Sequence, residues 1–515
     1  MRAILLFRFG FVLAAFSVFA GPGVPIWTNR CIITGDDRAR AVAVDANGNV
    51  FVTGETTSQF LNPDYATVAY SSAGTPLWTN RYHGPVSGDN YARAIATDNN
   101  GNVFVTGYSA GSSFAPYNHD YATIKYSGSG TPLWTNRYIG LNNGGTEHAS
   151  AIALDASGNV FVTGSSTLSG SVPGSFYAEV ATVAYANDGA QLWVSRHTEY
   201  DGTNFANAIA VDASGNIFVT GGAAPLGSVV FDYLTIAYDN NGNELWSRVY
   251  GAESNGVDIA RAIAVDTSGN VIVTGQSYAS GSGFDYATVK YAGDGTALWT
   301  NRYHGGVSND YAVSIAVDLN SQIYVAGYVA TATGNDYVTL AYSSAGAPLW
   351  TNRFHDATGS CRASAVKTDA SGNVFVTGTA SSVSGFVFIT LAYSGSGTPL
   401  WTNRFRASSS ISNPEEATAL AVDNNGNVLV AGYAFHSQFP IGQDFVTLKY
   451  SGYMSLAYLS LQYLNNQLVL TWTNAGFNLQ SAPKCTGTFT NIPGATSPYT
   501  NPIGAGQQFF RLISN

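Results

Sequence analysis

Residues 43–54 read AVDANGNVFVTG, and this phrase or a close relative of it returns seven more times along the 515-residue chain. Consecutive copies lie 51 to 57 residues apart, a period typical of repeat architectures. The eight copies end at equivalent glycines: Gly54, Gly107, Gly164, Gly221, Gly275, Gly327, Gly378 and Gly432. The period therefore organises most of the chain.

Each copy belongs to a larger unit with four short strand-like runs, represented by AVAVD, NVFVTG, YATVAY and LWTNRY. Turn phrases such as DANGN and SSAGTP separate these runs, with Asp to bond its own backbone and Gly to adopt a positive φ. The pattern predicts a four-stranded antiparallel meander in every unit. One such sheet cannot bury both of its faces, but eight packed face to face around an axis can, so we expect an eight-bladed β-propeller.

The count of strands is uneven. The first three runs occur eight times, but only seven LW runs follow them, because the last unit stops at Tyr450. The missing run stands alone near the amino terminus, at Trp27 to Arg30. We predict that this segment lies beside Phe445 to Tyr450, supplies the outer strand of the eighth sheet and removes the open edges of the ring.

The phrases AIAVDASGN, NVFVTG, DYATVAY and LWTNRYHG resemble the bacterial seven-bladed β-propeller repeat family, here with eight copies. The resemblance covers roughly residues 25–452. It implies a propeller fold and a secreted or surface protein, and it implies no catalytic residues. The tail, which contains FFRL at residues 509–512, resembles the C-terminal modules of planctomycete and verrucomicrobial secreted proteins. We expect residues 453–515 to form a small β-sandwich-like module.

The amino terminus has the pattern of a secretion signal. Arg2 and Arg8 precede an apolar run that ends at Phe19, and Val18-Phe19-Ala20 suits a signal peptidase. We therefore expect residues 1–20 to be cleaved, residues 21–452 to form the propeller, and the protein to act outside the cell or at its surface. No apolar stretch is long enough to span a bilayer, and we expect a monomer.

The composition narrows the classes of partner. The formal net charge is −10, which disfavours nucleic acid and anionic membranes because neither gains from a basic patch. Only 10% of the residues are charged, and Gly and Tyr are plentiful, as in extracellular β proteins. The three cysteines, Cys31, Cys361 and Cys485, form no regular framework, and a disulfide between the first two stays open.

One face of the predicted propeller carries the variable loops, for example residues 55–63, 108–119, 165–177 and 379–386. On the same face, the position four residues before the start of each predicted innermost strand is polar in nearly every unit: Asp37, Asn90, Glu147, Asn204, Asp258, Asp310 and Glu415, with Cys361 in the seventh. These side chains form a candidate ring that binds sugar hydroxyls or a hard cation such as calcium. In the alternative interpretation, each side chain only caps its own loop through backbone N–H groups.

Two other columns of the repeat have simpler explanations. Asp64 and its equivalents open the third strand, where Asp is more often a turn former than a ligand. The tryptophans recur at one strand position in eight copies, which favours packing between blades over a platform for sugars. The arginine of WTNR is free to pair with a carboxylate or to stack on a ring.

Histidines give the best enzymatic lead. His83, His304 and His355 are equivalent copies, whereas His119 and His148 stand at irregular positions of consecutive units, beside carboxylates. We therefore keep two functions open, beside a third class, a structural protein that a cation such as calcium stabilises. The first is a secreted, non-catalytic scaffold that binds a polysaccharide or surface protein through the variable-loop face. The second is a carbohydrate-active hydrolase or lyase at the channel mouth, with His119 and His148 among its candidate residues.

Overall fold

The computed structural model describes most of the chain: residues 4–8, 11–15, 23–33, 35–57, 62–111, 118–141, 145–169, 176–253, 256–356, 359–382, 385–407, 415–436, 442–452, 460–464, 467–471, 477–483, 488–502 and 509–514. Contacts divide the chain into two compact bodies. One body is Trp27–Tyr450, and the other combines Met1–Ile26 with Ser451–Asn515. No helix in the described part is long and apolar enough to cross a membrane.

The repeats form eight antiparallel sheets, numbered here 1 to 8 in chain order. The first strands are Asp36–Val44, Asn90–Thr97, Glu147–Leu154, Thr203–Val211, Asp258–Val265, Asp310–Val317, Gly359–Thr368 and Glu415–Val422. The second strands are Val50–Thr57, Val103–Ala110, Val160–Ser169, Ile217–Ala224, Val271–Ala279, Ile323–Thr331, Val374–Ser382 and Val428–His436.

The outer half of each sheet follows in the same order. The third strands are Asp64–Tyr70, His119–Tyr126, Phe176–Tyr185, Asp232–Tyr238, Gly283–Tyr291, Gly334–Tyr342, Gly385–Tyr393 and Gly442–Tyr450. The fourth strands of sheets 1 to 7 are Pro76–Tyr82, Pro132–Tyr138, Gln191–His197, Glu244–Tyr250, Ala297–Tyr303, Pro348–Phe354 and Pro399–Phe405. The prediction of an all-β fold made of four-stranded antiparallel sheets is confirmed.

The first hairpin turn shows why the repeat phrase is so regular. In sheet 1, Oδ1 of Asp45 accepts hydrogen bonds from the backbone N–H groups of Asn47 and Asn49, and Gly48 has a φ of 78°. The carboxylate therefore holds the turn, and the glycine provides a backbone conformation that other residues rarely adopt. The same Asp contacts recur in the other sheets.

Tryptophans of the fourth strands connect neighbouring sheets. Nε1 of Trp78 in sheet 1 donates to the carbonyl of Gly128 in sheet 2 at 3.0 Å, and its ring lies 5.7 Å from that of Tyr126. A Cβ on Gly130 would lie 2.6 Å from Trp78 Cγ, so only glycine fits below the indole. This contact recurs between further pairs of sheets. The tryptophans are packing residues, as their regular spacing predicted.

The amino-terminal segment pairs as a fourth strand with the last repeat. The strand Pro25–Cys31 lies next to Gly442–Tyr450 in the strand order of sheet 8. Trp27 donates to the carbonyl of Ser72 in sheet 1, so it repeats the contact that the other tryptophans make with the following sheet. Arg30 forms an ion pair with Asp444.

The first strands also follow one order of contacts. Each first strand contacts the first strand of the next sheet, and the first strand of sheet 8 contacts that of sheet 1. These strands are therefore the innermost elements of the repeats. Sheets 3 and 4 are also joined by one parallel bridge, between Ala178 and Thr203.

The second body contains two small sheets. One has three strands, Ser460–Leu464, Gln467–Thr471 and Tyr499–Pro502. The other has five strands, Ile4–Arg8, Phe11–Ala15, Phe477–Ala482, Thr490–Asn491 and Phe509–Ser514. Its buried apolar cluster is small and consists of Leu470, Leu479 and Phe510.

The cysteines answer one question that the sequence left open. Cys31 and Cys361 are both free thiols, so the disulfide between them is not formed. Cys31 is partly buried at the end of the amino-terminal strand of sheet 8. Cys361 is fully buried near the start of the first strand of sheet 7. Cys485 lies outside the described residues.

Candidate binding site

The polar residues predicted to ring a channel mouth are all buried. Asp37, Asn90, Glu147, Asn204, Asp258, Asp310 and Glu415 each expose 1% of their surface or less, as does Cys361. In sheet 6, the carboxylate of Asp310 accepts backbone N–H bonds from Gly305, Gly306 and Ala330. The loop before the strand is thus fastened by the residue that begins the strand.

The amide members of the set act in the same way. Nδ2 of Asn90 donates to the carbonyls of Gly88 at 2.9 Å and His83 at 3.2 Å, and Asn204 bonds in the same manner to Glu199 and Gly202. Their contacts match the loop-capping interpretation. In this structure the side chains are covered, and Asn90 and Asn204 also donate to carbonyls of the preceding sheet, so the set does not present a ring of groups to a ligand.

The second acidic series pairs with the WTNR arginines. In sheet 1, Arg81 lies 2.6 Å from one carboxylate oxygen of Asp64, and His83 Nδ1 lies 2.6 Å from the other. Equivalent arginine pairs hold Asp120, Glu179, Asp285, Asp336 and Asp444. Sheet 7 has Val387 in place of the acid, and its Arg404 pairs with Asp356 instead. These pairs fasten the third strand to the fourth.

One group of described residues has the spacing of metal ligands. Side-chain atoms of Asp285, His304 and Asp310 lie within 4.8 Å of one another. However, Arg302 lies 3.0 Å from Asp285, and Asp310 already accepts three backbone N–H bonds. A cation would compete with the guanidinium for the same carboxylate, so these contacts favour a structural role.

The residues that differ from sheet to sheet lie elsewhere, at one row of cross-strand pairs. We call this row the mouth row. In each sheet it pairs the residue that follows the buried polar position of the first strand with the residue that follows the repeat glycine of the second strand. Its members are Arg38–Glu55, Tyr91–Tyr108, His148–Ser165, Phe205–Gly222, Ile259–Gln276, Tyr311–Tyr328, Arg362–Thr379 and Glu416–Tyr433. It lies at the variable-loop end of the two strands.

A β-bulge brings further side chains to the mouth row. Every first strand has a register shift two residues after its mouth-row member, and a bulge redirects the side chain of the extra residue. In sheet 1 the bulge residue Arg40 binds Glu55, with Nε 2.9 Å from Oε1. In sheet 2, Arg93 donates to the Tyr108 hydroxyl at 2.5 Å. In sheet 5, Arg261 donates to a side-chain oxygen of the mouth-row glutamine at 3.2 Å.

The two irregular histidines meet at the mouth row between sheets 2 and 3. The ring centroids of His119 and His148 are 5.4 Å apart, and that of Tyr108 lies 4.1 Å from His148 and 5.2 Å from His119. Arg93 lies over the rings of Tyr108 and Tyr91, at 5.1 and 5.4 Å. We call these five residues the histidine cluster.

Burial sets the protonation of this cluster. It lowers the pKa of His148 to about 4, with the neighbouring His119 and Arg93 adding to the effect. Burial also lowers the pKa of His119, although the nearby Asp89 and Asp120 oppose it. Both imidazoles are therefore neutral at neutral pH, the form that accepts a proton.

A cleft opens beside the mouth row at sheets 7 and 8. Its volume is about 460 Å³, and it is lined by Arg362, Glu416, Phe386 and the hydroxyl residues Ser360, Ser364, Ser381 and Thr379. Arg362 lies over the ring of Tyr328 at 5.4 Å and is exposed. A guanidinium on an aromatic face beside several hydroxyl groups suits a polar, ring-shaped ligand.

Sequence reasoning found the two histidines but missed the rest of the mouth row. The sequence did contain a usable signal. Nearly all first strands share the pattern x-A-x-A, for example RARA at residues 38–41, and its first variable position is the mouth-row residue. Among the sequence candidates, the structure brings His119 and His148 together. The buried Asp, Asn and Glu residues stay apart, each at the start of its own first strand.

Comparison with known proteins agrees with the architecture. The family model of the beta-propeller repeat matches residues 26–60 and 82–115. An uncharacterized WD repeat-containing protein of Acanthamoeba polyphaga mimivirus is 24% identical over 474 residues, which cover 79% of this chain; the chain spans only about 30% of the length of that relative.

Solved structures with a similar fold include Sqt1 from Chaetomium thermophilum, at 12% identity and a TM-score of 0.49, covering 81% of this chain and 97% of that one. The periplasmic gluconolactonase of Pseudomonas aeruginosa has 12% identity and a TM-score of 0.40, covering 67% and 96%. The polysaccharide lyase Uly1 has 9% identity and a TM-score of 0.40, covering 87% and 97%. At these values the likenesses bear on neither substrate nor activity. Residues 26–60 and 82–115 thus match the beta-propeller repeat, in a chain whose repeats fold into four-stranded antiparallel sheets.

Proposed function

We propose that the protein is an exported, non-catalytic β-propeller of eight blades, closed by its amino-terminal strand, that binds an extracellular polysaccharide through the mouth row. The observation that carries this proposal is the composition of that row. The mouth row is variable, and it carries arginines and tyrosines at one end of the innermost strands. They include Arg38, Arg362, Tyr311, Tyr328 and Tyr433.

These residue types suit sugars. Tyrosine rings give apolar faces with a polar edge, and guanidinium groups donate several hydrogen bonds in a fixed plane. Arg362 is exposed beside a cleft rich in hydroxyl groups, and Arg38 lies 5.9 Å from the Tyr433 ring. The signal-like residues 1–20 support an extracellular ligand, such as a polysaccharide, over an intracellular one.

A binding screen tests this proposal. The exported chain is applied to immobilised glycans and cell-wall polymers, and we expect one polymer class to bind. Substituting Arg362→Ala or Tyr328→Ala should weaken that binding at least tenfold. Leu77→Ser is a matched control, because Leu77 is 48% exposed and lies beside the short turn to the fourth strand. Equal binding by all variants would contradict the role of the mouth row.

The histidine cluster favours a second candidate, a polysaccharide lyase. A neutral imidazole of His119 or His148 would take the proton next to the carboxylate of a uronate sugar, and Arg93 would pair with that carboxylate. The glycosidic C–O bond then breaks and a C=C bond forms. The departing oxygen needs a proton, and the hydroxyl of Tyr108, whose ring lies beside both imidazoles, would supply it.

The two candidates separate in one assay. A lyase shortens uronate polymers and leaves an unsaturated product that absorbs ultraviolet light, whereas a binding protein leaves the polymer length unchanged. His148→Ala should abolish such cleavage, while Arg362→Ala, in the cleft of sheets 7 and 8, should not abolish it. Intact polymer after long incubation with the wild-type chain would exclude the second candidate for that polymer.

A further inference from the structure

One position of the innermost strands breaks the repeat in a single sheet. Lys367 lies near the end of the first strand of sheet 7. At the equivalent position, each of the other sheets has alanine: Ala43, Ala96, Ala153, Ala210, Ala264, Ala316 and Ala421. A lysine therefore replaces a methyl group in one of eight otherwise identical places.

The strand register shows that these places are structurally equivalent. Lys367 pairs with Phe375, as Ala96 pairs with Phe104 and Ala153 with Phe161. In every sheet the position lies one residue before the last pair of the first hairpin. Because the first strands contact one another in a single cycle, the eight positions form a ring around the innermost space of the repeats. We call this ring the alanine ring.

The surroundings of Lys367 are those of an internal space that water reaches. The residue is exposed, and so in part are the ring alanines of sheets 1 to 5, whereas Ala316 and Ala421 on the two adjacent sheets are buried. Protein nevertheless surrounds the ammonium closely enough to lower its pKa, and burial is the only cause. Exposed surface together with a desolvated charge is expected inside a channel and not on an outer surface.

We propose that Lys367 is the centre of an oxyanion-binding site inside the channel, which takes a sulfate, a phosphate or a carboxylate group. This inference goes beyond the proposed function, because it depends on neither the mouth row nor the histidine cluster.

Charge and space both support an oxyanion. Among the described residues, no carboxylate forms an ion pair with Lys367, so the positive charge has no counter-charge from the protein in that part of the chain. Keeping a desolvated cation charged is costly unless an anion or a hydrogen-bond acceptor accompanies it. The other seven positions of the alanine ring carry only methyl groups, which offer the ammonium no hydrogen-bond acceptor and take up little space.

Titration of the full chain with inorganic sulfate, phosphate and acetate, at constant ionic strength with chloride as the reference, tests the proposal. We expect one saturable site per chain by calorimetry. Lys367→Ala should abolish it, and Lys367→Arg should retain it. Lys367→Ala restores the residue that the repeat uses in the other seven sheets, so it should fold normally, and its melting temperature in chloride checks this.

Moving the charge around the ring is the sharpest test. In the double variant Lys367→Ala, Ala153→Lys, the lysine sits on sheet 3 instead of sheet 7, and we expect the saturable anion site to return. Saturable binding in the Lys367→Ala variant would overturn the proposal, and so would its absence in the wild type or in the double variant. Short uronate chains, assayed in parallel, distinguish a free ion from a group carried on a glycan, because a site for the latter binds the uronate chain more tightly than acetate and loses this binding in Lys367→Ala.

Discussion

Glu147 shows how burial changes the chemistry of one repeat position. The residue begins the first strand of sheet 3, is 1% exposed, and lies beside the Ser166 hydroxyl and Gly140. Burial, together with the charge of Asp120, raises the pKa of its carboxyl group to about 7. In sheets 2 and 4 the equivalent residues are the neutral Asn90 and Asn204, so this place accepts an uncharged side chain.

The raised pKa makes a prediction about stability and pH. The folded state holds the proton of Glu147 more tightly than the unfolded state does, so its contribution is complete below about pH 4 and is lost as the pH rises through about 7. Glu147→Gln should remove that loss. At pH 8 the variant should be more stable than the wild type by about 3 kcal/mol, measured by urea unfolding.

The control for this variant is the same measurement at low pH. At pH 4 the wild-type carboxyl group is protonated in the folded protein, so the two proteins should have similar stability. His148, whose pKa is lowered, destabilises the folded state as the pH falls below about 6.5, but it does so equally in both proteins. A difference that stays constant between pH 4 and pH 8 would contradict the raised pKa.

Gly74 tests the contact beneath the amino-terminal tryptophan. Its φ is 84°, and a Cβ there would lie 2.7 Å from Trp27 Cγ. Gly74→Ala should cost about 1 kcal/mol for the backbone conformation and about 1–3 kcal/mol more for the displaced indole. Gly227→Ala is the matched control, because Gly227 has a φ of 73° and nothing within 4 Å of its Cβ position. Equal losses in urea unfolding would show that the indole moves freely.

At the scale of strands, the sequence predicts regular features well and irregular ones poorly. Alternating β-branched and aromatic residues, with Asp and Gly in the turns, specify each hairpin locally, so the four strands of every unit could be predicted. The partner of Arg404 could not be predicted from the sequence. Asp356 replaces the missing acid of sheet 7, and it comes from the loop after the fourth strand of sheet 6. The mouth row depends in the same way on strand register and on a bulge that no local pattern reveals.

The amino-terminal strand leads to a prediction at this scale. Deleting residues 21–31 removes the strand Pro25–Cys31 and exposes the edge of Gly442–Tyr450. We expect the shortened chain to melt at a lower temperature and to aggregate during size-exclusion chromatography, because an unpaired edge strand accepts other strands. Trp27→Ala keeps the edge covered, so it should lower the melting temperature but leave the protein monomeric. An unchanged melting temperature and monomeric elution after the deletion would contradict this role.

At the scale of the whole molecule, the repeated residues have structural roles and do not point to a function. The residues that recur in every sheet, such as the Asp of the first turn and the tryptophan of the fourth strand, are explained by contacts within the fold. The residues that differ, Arg362, Lys367 and the histidine cluster, are the ones that we propose interact with other molecules. The sequence therefore predicted the architecture from its similarities, whereas the candidate sites appear only when the sheets are compared position by position.

The pairing of Arg30 with Asp444 joins residues 414 positions apart in the chain. During synthesis, the amino-terminal strand leaves the ribosome long before its partner exists, and it has to wait for nearly the whole polypeptide to follow. A pairing so distant in sequence is slow to form. The final sheet should thus assemble last in folding. A circular permutant that begins between two middle repeats and joins the original ends should form this sheet faster than the natural chain does.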